Sequence, residues 1–253
     1  MDRSESRTVQ GQRPDTTVVV VTCEHAGREV PPPYRAVFED QAALLDSHRG
    51  WDPGALDVAR SLAGALSVPL HFSTTTRLLV DLNRSIGHRQ LFSEISRRLP
   101  RRQRNEIIDR YYRPHRDAVE VAVAHHIAAG HRVLHIASHS FSPVLEGRKR
   151  LADVAWLYDP RRGGERAFAG RWKQDLAQRR PDLRLRRNYP YSGRSDGLTS
   201  RLRSRHSDET YMGIELEVNQ HFVIRGGAGW KALRSALTVS LTEALAATPG
   251  ATD

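Results

Sequence analysis

The side chains able to do chemistry gather in a few short segments of the chain. Glu24-His25 follows an apolar run, Ser47-His-Arg-Gly-Trp-Asp52 precedes a helical pattern, His139 closes a second apolar run, and Glu215 and Glu217 stand two residues apart late in the chain. A catalytic zinc takes about three nitrogen or oxygen ligands and keeps a further position for water. His25, Asp52 and His139 supply such a set, with His48 and Glu24 as alternatives for the third ligand. Each of these residues also has an ordinary reading. The chain holds twelve histidines, and Asp52 precedes Pro53 as a helix N-cap precedes proline at the first helical position.

The stretch Arg77-Leu-Leu-Val-Asp81-Leu-Asn83-Arg84 reads as an apolar strand giving way to polar groups at its end. Arginine presents a planar fork that grips a carboxylate through two hydrogen bonds, and an asparagine beside it can donate as well. Arg84 and Asn83, with Arg77, are therefore candidate binders of a substrate carboxylate, and Asp81 is placed to hold the fork.

These groups need elements to carry them. The β-branched run over 16–22 is too continuous for a half-exposed strand and reads as a buried one. It delivers His25 to the carboxyl end of a strand, where open α/β sheets place their chemistry. Further strands are expected over 70–73, 78–82, 132–138, 154–158 and 213–218. Helices are expected over 53–66, 105–112, 117–129, 165–179 and 230–247. Strands and helices alternate, which predicts a three-layer α/β domain around a mainly parallel sheet. The expected organisation is a disordered tail over 1–15 followed by a single domain over 16–248.

Composition narrows the function. Hydrophobic residues make up 39% and charged residues 27% of 253, as in soluble globular proteins. No stretch has the 18 or so consecutive apolar residues of a membrane span. The first 17 residues carry no apolar segment resembling a secretory signal. The single cysteine, Cys23, fits a reducing compartment, so a cytoplasmic location is expected. The net charge of +10 comes mainly from arginines in blocks around 97–104, 148–150, 161–166, 179–187 and 194–205. Aromatic residues are not interleaved in those blocks and no nucleic-acid-binding motif is present, which argues for a solvated basic surface rather than a nucleic-acid partner.

In combination, the motifs resemble those of N-formylglutamate amidohydrolases, from about Val18 to about Phe222. The matching segments are Cys-Glu-His-Ala-Gly, His-Arg-Gly-Trp-Asp-Pro-Gly-Ala, Thr-Arg-Leu-Leu-Val-Asp-Leu-Asn-Arg, Tyr-Tyr-Arg-Pro-His, Ser-His-Ser-Phe-Ser, Asn188-Tyr-Pro-Tyr-Ser-Gly193 and Ile-Glu-Leu-Glu-Val-Asn. Asp-Leu-Asn-Arg also looks like aspartoacylase, a relative within the zinc carboxypeptidase-like superfamily.

The resemblance implies a mixed, mostly parallel sheet flanked by helices, phosphorylase/hydrolase-like. It implies zinc, or another divalent metal, on His25 and His139. The superfamily's third ligand falls at Arg28, so Asp52 inherits that role by elimination. It further implies Glu217, or Glu215 on the same strand face, as the catalytic carboxylate. A substrate carboxylate would be bound by Arg84 and Asn83, with Asn188 and either His115 or Arg116 also at the substrate. The implied reaction is metal-assisted hydrolysis of N-formyl-L-glutamate, a small-molecule N-acyl amino acid, to formate and glutamate. The alternatives are another N-acyl amino acid, a small peptide-like amide, or a non-catalytic binding protein on the same fold. Oligomeric state is left open.

Overall fold

The structure, a computed structural model, describes residues 16–247. The tail expected over 1–15, and residue 248, lie outside the described residues. The strands are β1 (Thr17–Cys23), β2 (Leu70–Phe72), β3 (Arg132–Phe141), β4 (Val144–Leu145), β5 (Arg148–Lys149), β6 (Val154–Leu157), β7 (Leu185–Arg187) and β8 (Tyr211–Asn219). The α-helices are α1 (Ala42–Asp46), α2 (Ala55–Ala65), α3 (Arg101–Ile107), α4 (Arg113–Ala128), α5 (Gly163–Arg179), α6 (Leu198–Arg203), α7 (His221–Arg225) and α8 (Gly227–Ala246). None of the described helices is long and apolar enough to cross a membrane.

Six strands form one sheet in the order β2-β1-β3-β8-β6-β7, while β4 and β5 form a separate hairpin. β2, β1, β3 and β8 run parallel, and β6 runs antiparallel to β8. The sheet is thus mixed and mostly parallel, with helices on its two faces, as the alternation of elements predicts.

Strand alternation sorts the side chains between those faces. Val19, Val21 and Cys23 of β1, Leu134 and Ile136 of β3, and Ile214, Leu216 and Val218 of β8 pack with Leu62 of α2, Trp172 of α5 and Leu233, Leu237 and Leu241 of α8. The intervening positions Val20, Val133 and Tyr211 pack with Val119 and Val123 of α4 and Leu198 and Leu202 of α6. His135, His139, Glu215 and Glu217 share the parity of this second face. Across it, His135 Nε2 lies 2.9 Å from Thr22 Oγ1 and His135 Nδ1 lies 2.8 Å from the Tyr211 hydroxyl, joining β1, β3 and β8.

Two expectations about local structure are corrected. Residues 78–82 form no strand: they are a sequence of turns closed by bonds such as Leu79 N–H to Thr76 O and Arg84 N–H to Asp81 O. Their apolar side chains are nonetheless buried, because Leu78, Leu79, Val80 and Leu82 fill a separate core with Tyr34, Phe38, Ile107 and Tyr112. Burial without alternation is the shared signature of a central strand and of a loop packed inside the protein. Secondly, the N-cap of α2 is Gly54 at φ 80°, and Asp52 makes no side-chain cap there. Its carboxylate turns to the histidines instead.

Candidate metal centre and active site

β1 ends at Cys23, and the chain beyond it is tied to its neighbours by backbone bonds. Ala26 N–H donates to Ser73 O at 3.1 Å, and Asp52 N–H donates to His25 O at 3.0 Å, which fixes the spacing of two candidate ligands. Gly27 is required here, since a Cβ would stand 2.7 Å from Thr74 O. In the parallel pair β3–β8, His139 lies in register with Glu217 and Ala137 with Glu215. His139 therefore sits inside β3, two residues before its end.

His25, Asp52 and His139 are buried, and each offers a ligand atom within 4.8 Å of the others. His25 Nδ1 and His139 Nδ1 lie 3.2 and 3.0 Å from the same oxygen, Asp52 Oδ2. Their Nε2 atoms face other carboxylates: His25 Nε2 is 2.8 Å from Asp81 Oδ1, and His139 Nε2 is 3.1 Å from Glu24 Oε2. A metal-ligating histidine has this arrangement, one ring nitrogen held by a carboxylate and the other turned to the ion. With Nδ1 protonated, each ring donates to Asp52 Oδ2; with Nε2 protonated instead, two imidazole lone pairs and a carboxylate oxygen face one another and can receive a cation.

The charges point the same way. Burial works against ionising Glu24, but the imidazoles of His115 and His139 hold it well below the usual carboxylate range. Burial also opposes ionisation of Asp52 and Asp81, and His25 and His139 around the first, Arg77 and His25 around the second, override it. His139 is raised despite burial, by Asp52 and Glu24. Three carboxylates, those of Glu24, Asp52 and Asp81, thus gather around two imidazoles and the guanidinium of Arg77. Two imidazoles with one carboxylate are a donor set zinc accepts.

Arg77 donates to Asp81 Oδ2 through Nε at 3.2 Å and Nη2 at 2.7 Å, and to Asp52 Oδ1 through Nη1 at 3.3 Å. Asp81 thus holds Arg77 and His25 rather than Arg84. Arg84 Nη1 instead donates to the carbonyls of Asn83 and Asp196, both at 2.8 Å, leaving its buried Nε with no hydrogen-bond partner among the described residues. Asn83 Oδ1 accepts the Leu198 N–H at 2.8 Å, and its Nδ2 lies 3.4 Å from His139 Nε2. Asn83 therefore ties the start of α6 to the centre.

A cavity of about 500 Å³ opens on this cluster. Its lining includes His25, Asp52, His139, Glu215, Glu217, Arg77, Asn83, Arg84 and His48, together with Phe92, Phe141 and Tyr191. Glu217 Oε2 is buried with no hydrogen-bond partner among the described residues. Burial, opposed by His139 and reinforced by Asp52 and Glu215, pushes its carboxyl up to about 8. Glu215 differs, because its Oε1 accepts the Thr199 hydroxyl at 2.6 Å.

Three sequence candidates do not line this cavity. Arg116 is buried against Tyr112 and donates to Leu82 O at 3.0 Å. His115 turns to Glu24, with Nε2 3.6 Å from Oε1. A π-helical turn, Ile108–Tyr112, immediately precedes α4, and both neighbours are buried beside the site rather than in its cavity. Asn188 Oδ1 accepts the N–H groups of Tyr158 and Gly193, bracing the loop that carries Tyr191 to the cavity. Arg28, at the superfamily's third-ligand position, is exposed, paired with Asp46 and placed over Trp51. His48 lines the cavity but stands outside the cluster of three.

Sequence reasoning misses two parts of the site. It gives Glu24 only the part of a ligand, although β1 and β3 pair Thr22 with Ala137, and continuing that register sets Glu24 beside His139. Asp196, which accepts from Ser85 N–H at 2.8 Å and from its hydroxyl at 2.5 Å, carries no sequence signal.

Comparison with known proteins bears on the fold and the family. A gene product of Agrobacterium tumefaciens has a solved structure similar to this one, with TM-score 0.76, 29% identity and 90% of each chain covered. An N-formylglutamate amidohydrolase of Ralstonia eutropha shares the fold, with TM-score 0.65, 19% identity, 91% of this chain and 93% of that one covered. No curated protein sequence matches the chain. The model of the family described as N-formylglutamate amidohydrolase matches residues 17–224, and the chain belongs to that family.

Proposed function

We propose that the protein hydrolyses the amide bond of N-formyl-L-glutamate, or of a closely related N-acyl amino acid, using a divalent cation, zinc by preference, held by His25, Asp52 and His139. The observation that carries this reading is the convergence of two imidazole Nδ1 atoms on one Asp52 oxygen, in a cavity that also exposes Glu217. A cation in such a site supplies Lewis acidity, making water nucleophilic near neutral pH and polarising a carbonyl.

The protein's own groups do the rest. Glu217 takes the proton of the attacking water, and a carboxyl displaced upward by burial is suited to exchange protons near neutrality. It then delivers that proton to the departing amine, so that formate and glutamate leave. Arg84, its orientation fixed through Nη1, borders the cavity as the binder of a substrate carboxylate. Arg77 holds Asp52 and Asp81 in place. The aromatic side chains of Phe92, Phe141 and Tyr191 around a cavity of this size favour a second reading, an N-acyl amino acid bulkier than formylglutamate. A single buried cysteine fits the cytoplasm as the place of action.

The test is turnover of N-formyl and N-acetyl amino acids by zinc-loaded protein, wild type and Arg84→Lys. Lysine lacks the planar fork, and charge-assisted hydrogen bonds contribute about 1.5–3 kcal/mol each. Arg84→Lys should therefore lose about tenfold or more in kcat/KM for N-formyl-L-glutamate at unchanged zinc content. It should also discriminate less than wild type against the α-carboxamide of that substrate. Equal discrimination by both proteins would remove Arg84 from substrate binding, and no turnover of any panel member would remove the reaction.

A further inference from the structure

His115 lies in the first turn of α4, yet its side chain is only 6% exposed and its Nε2 is 3.6 Å from Glu24 Oε1. The side chain of Glu24 is wholly buried, and its other oxygen is 3.1 Å from His139 Nε2. Neither Glu24 oxygen has a regular hydrogen bond within the described protein, and the nearest ring nitrogens to its two oxygens are the Nε2 atoms of these two imidazoles. A line of three side chains thus runs from α4 to the imidazole whose Nδ1 faces Asp52.

His115 does not border the catalytic cavity. It borders a separate one of about 430 Å³, lined also by His71, Phe72 and Tyr111, and the two cavities share no lining residue. The side-chain contact that links His115 to the centre is the one to Glu24. An ionised carboxylate buried with a single partner is free to turn, and it is costly to leave one of its oxygens unpaired.

We propose that His115 is a positioning residue for the cation centre: it fixes the Glu24 carboxylate, which in turn fixes the ring orientation and tautomer of His139. The proposal rests on the reading of His25, Asp52 and His139 as ligands. Replacing groups that orient a metal-binding histidine typically lowers metal affinity by about 10–100-fold, and His115 acts one contact further out.

The experiment measures zinc affinity of the full chain by competition with a chromophoric chelator, alongside thermal stability. The proteins are wild type, His115→Leu, His115→Asn, His115→Gln, Glu24→Gln and the His115→Leu/Glu24→Gln double variant. Leucine has no donor and asparagine is too short, so each should bind zinc about tenfold more weakly. Glutamine places an N–H near the histidine Nε2 position and should restore most of the affinity. The double variant should bind no more weakly than Glu24→Gln alone. Nitrogen-15 shifts of the zinc-loaded wild type should show His139 protonated at Nε2, a signature that broadens in His115→Leu. Full affinity in His115→Leu and His115→Asn, or losses that add in the double variant, would overturn the positioning role while leaving the ligands in place. Wild type that binds no zinc would overturn the ligand reading and this proposal together.

Discussion

Glu215 and Glu217 stand two positions apart on β8 and line the same cavity, but their surroundings divide their roles. Glu215 already accepts the Thr199 hydroxyl, whereas Glu217 has a buried oxygen with no hydrogen-bond partner among the described residues and a carboxyl pushed up to about 8 by burial. General base catalysis contributes about 10²–10⁴ in rate. Glu217→Gln should therefore keep the zinc content and the fold yet lose at least about a hundredfold in kcat, and Glu215→Gln should lose much less. Single-turnover rates of both variants at saturating zinc check this, and the reverse order would assign the base to Glu215. The pair shows how far sequence reaches at this scale: alternation sets both residues on one face, and only the position of Thr199 on α6 separates them. His25, His139 and Asp52 are legible from residue type and from their places near the carboxyl ends of β1 and β3 and before α2. His115 and Arg116 are not, because both are buried and only the fold shows that one turns to Glu24 and the other to Leu82.

Among the elements, β1, β3 and β8 carry most of the site, and each is readable as an apolar run. Residues 78–82 read as a strand although they are not one, because a buried loop has the same unbroken apolar pattern. The turns there serve the site, since Asn83 N–H donates to Asp81 Oδ1 at 2.9 Å and so brings Asp81 beside His25. The three strands are also joined by His135, which burial holds down at about 3 between Thr22 and Tyr211. Its folded pKa lies below the ordinary value of 6.5, so the unfolded chain takes up the proton first as pH falls. The associated stability is fully present above about pH 6.5 and is lost progressively as pH falls toward 3. Each pH unit crossed within that window removes about 1.4 kcal/mol. This one histidine therefore takes away about 2 kcal/mol between pH 7 and pH 5. Urea unfolding at the two pH values should show wild type losing that much more than His135→Gln. Equal losses would mean that His135 is protonated in the folded protein.

For the molecule as a whole, the sheet and its two helical layers follow from the alternation of strands and helices, and the family resemblance drawn from seven short motifs agrees with the match over residues 17–224. What the sequence leaves open is the three-dimensional charge balance. Glu24 and Asp81 come from segments far apart in the chain, and only the fold brings both to the outer nitrogens of the two histidines. Three carboxylates, two imidazoles and one guanidinium surround the cluster proposed to hold a divalent cation, and Glu217 faces the same cavity. Formate release from N-formyl-L-glutamate tests that proposal most directly, measured before chelator treatment, after it, and after stepwise return of zinc. The account predicts that release is abolished by the chelator and returns in full at about one equivalent of zinc per chain, as expected of a three-ligand catalytic site. Undiminished formate release from fully chelated protein would contradict it.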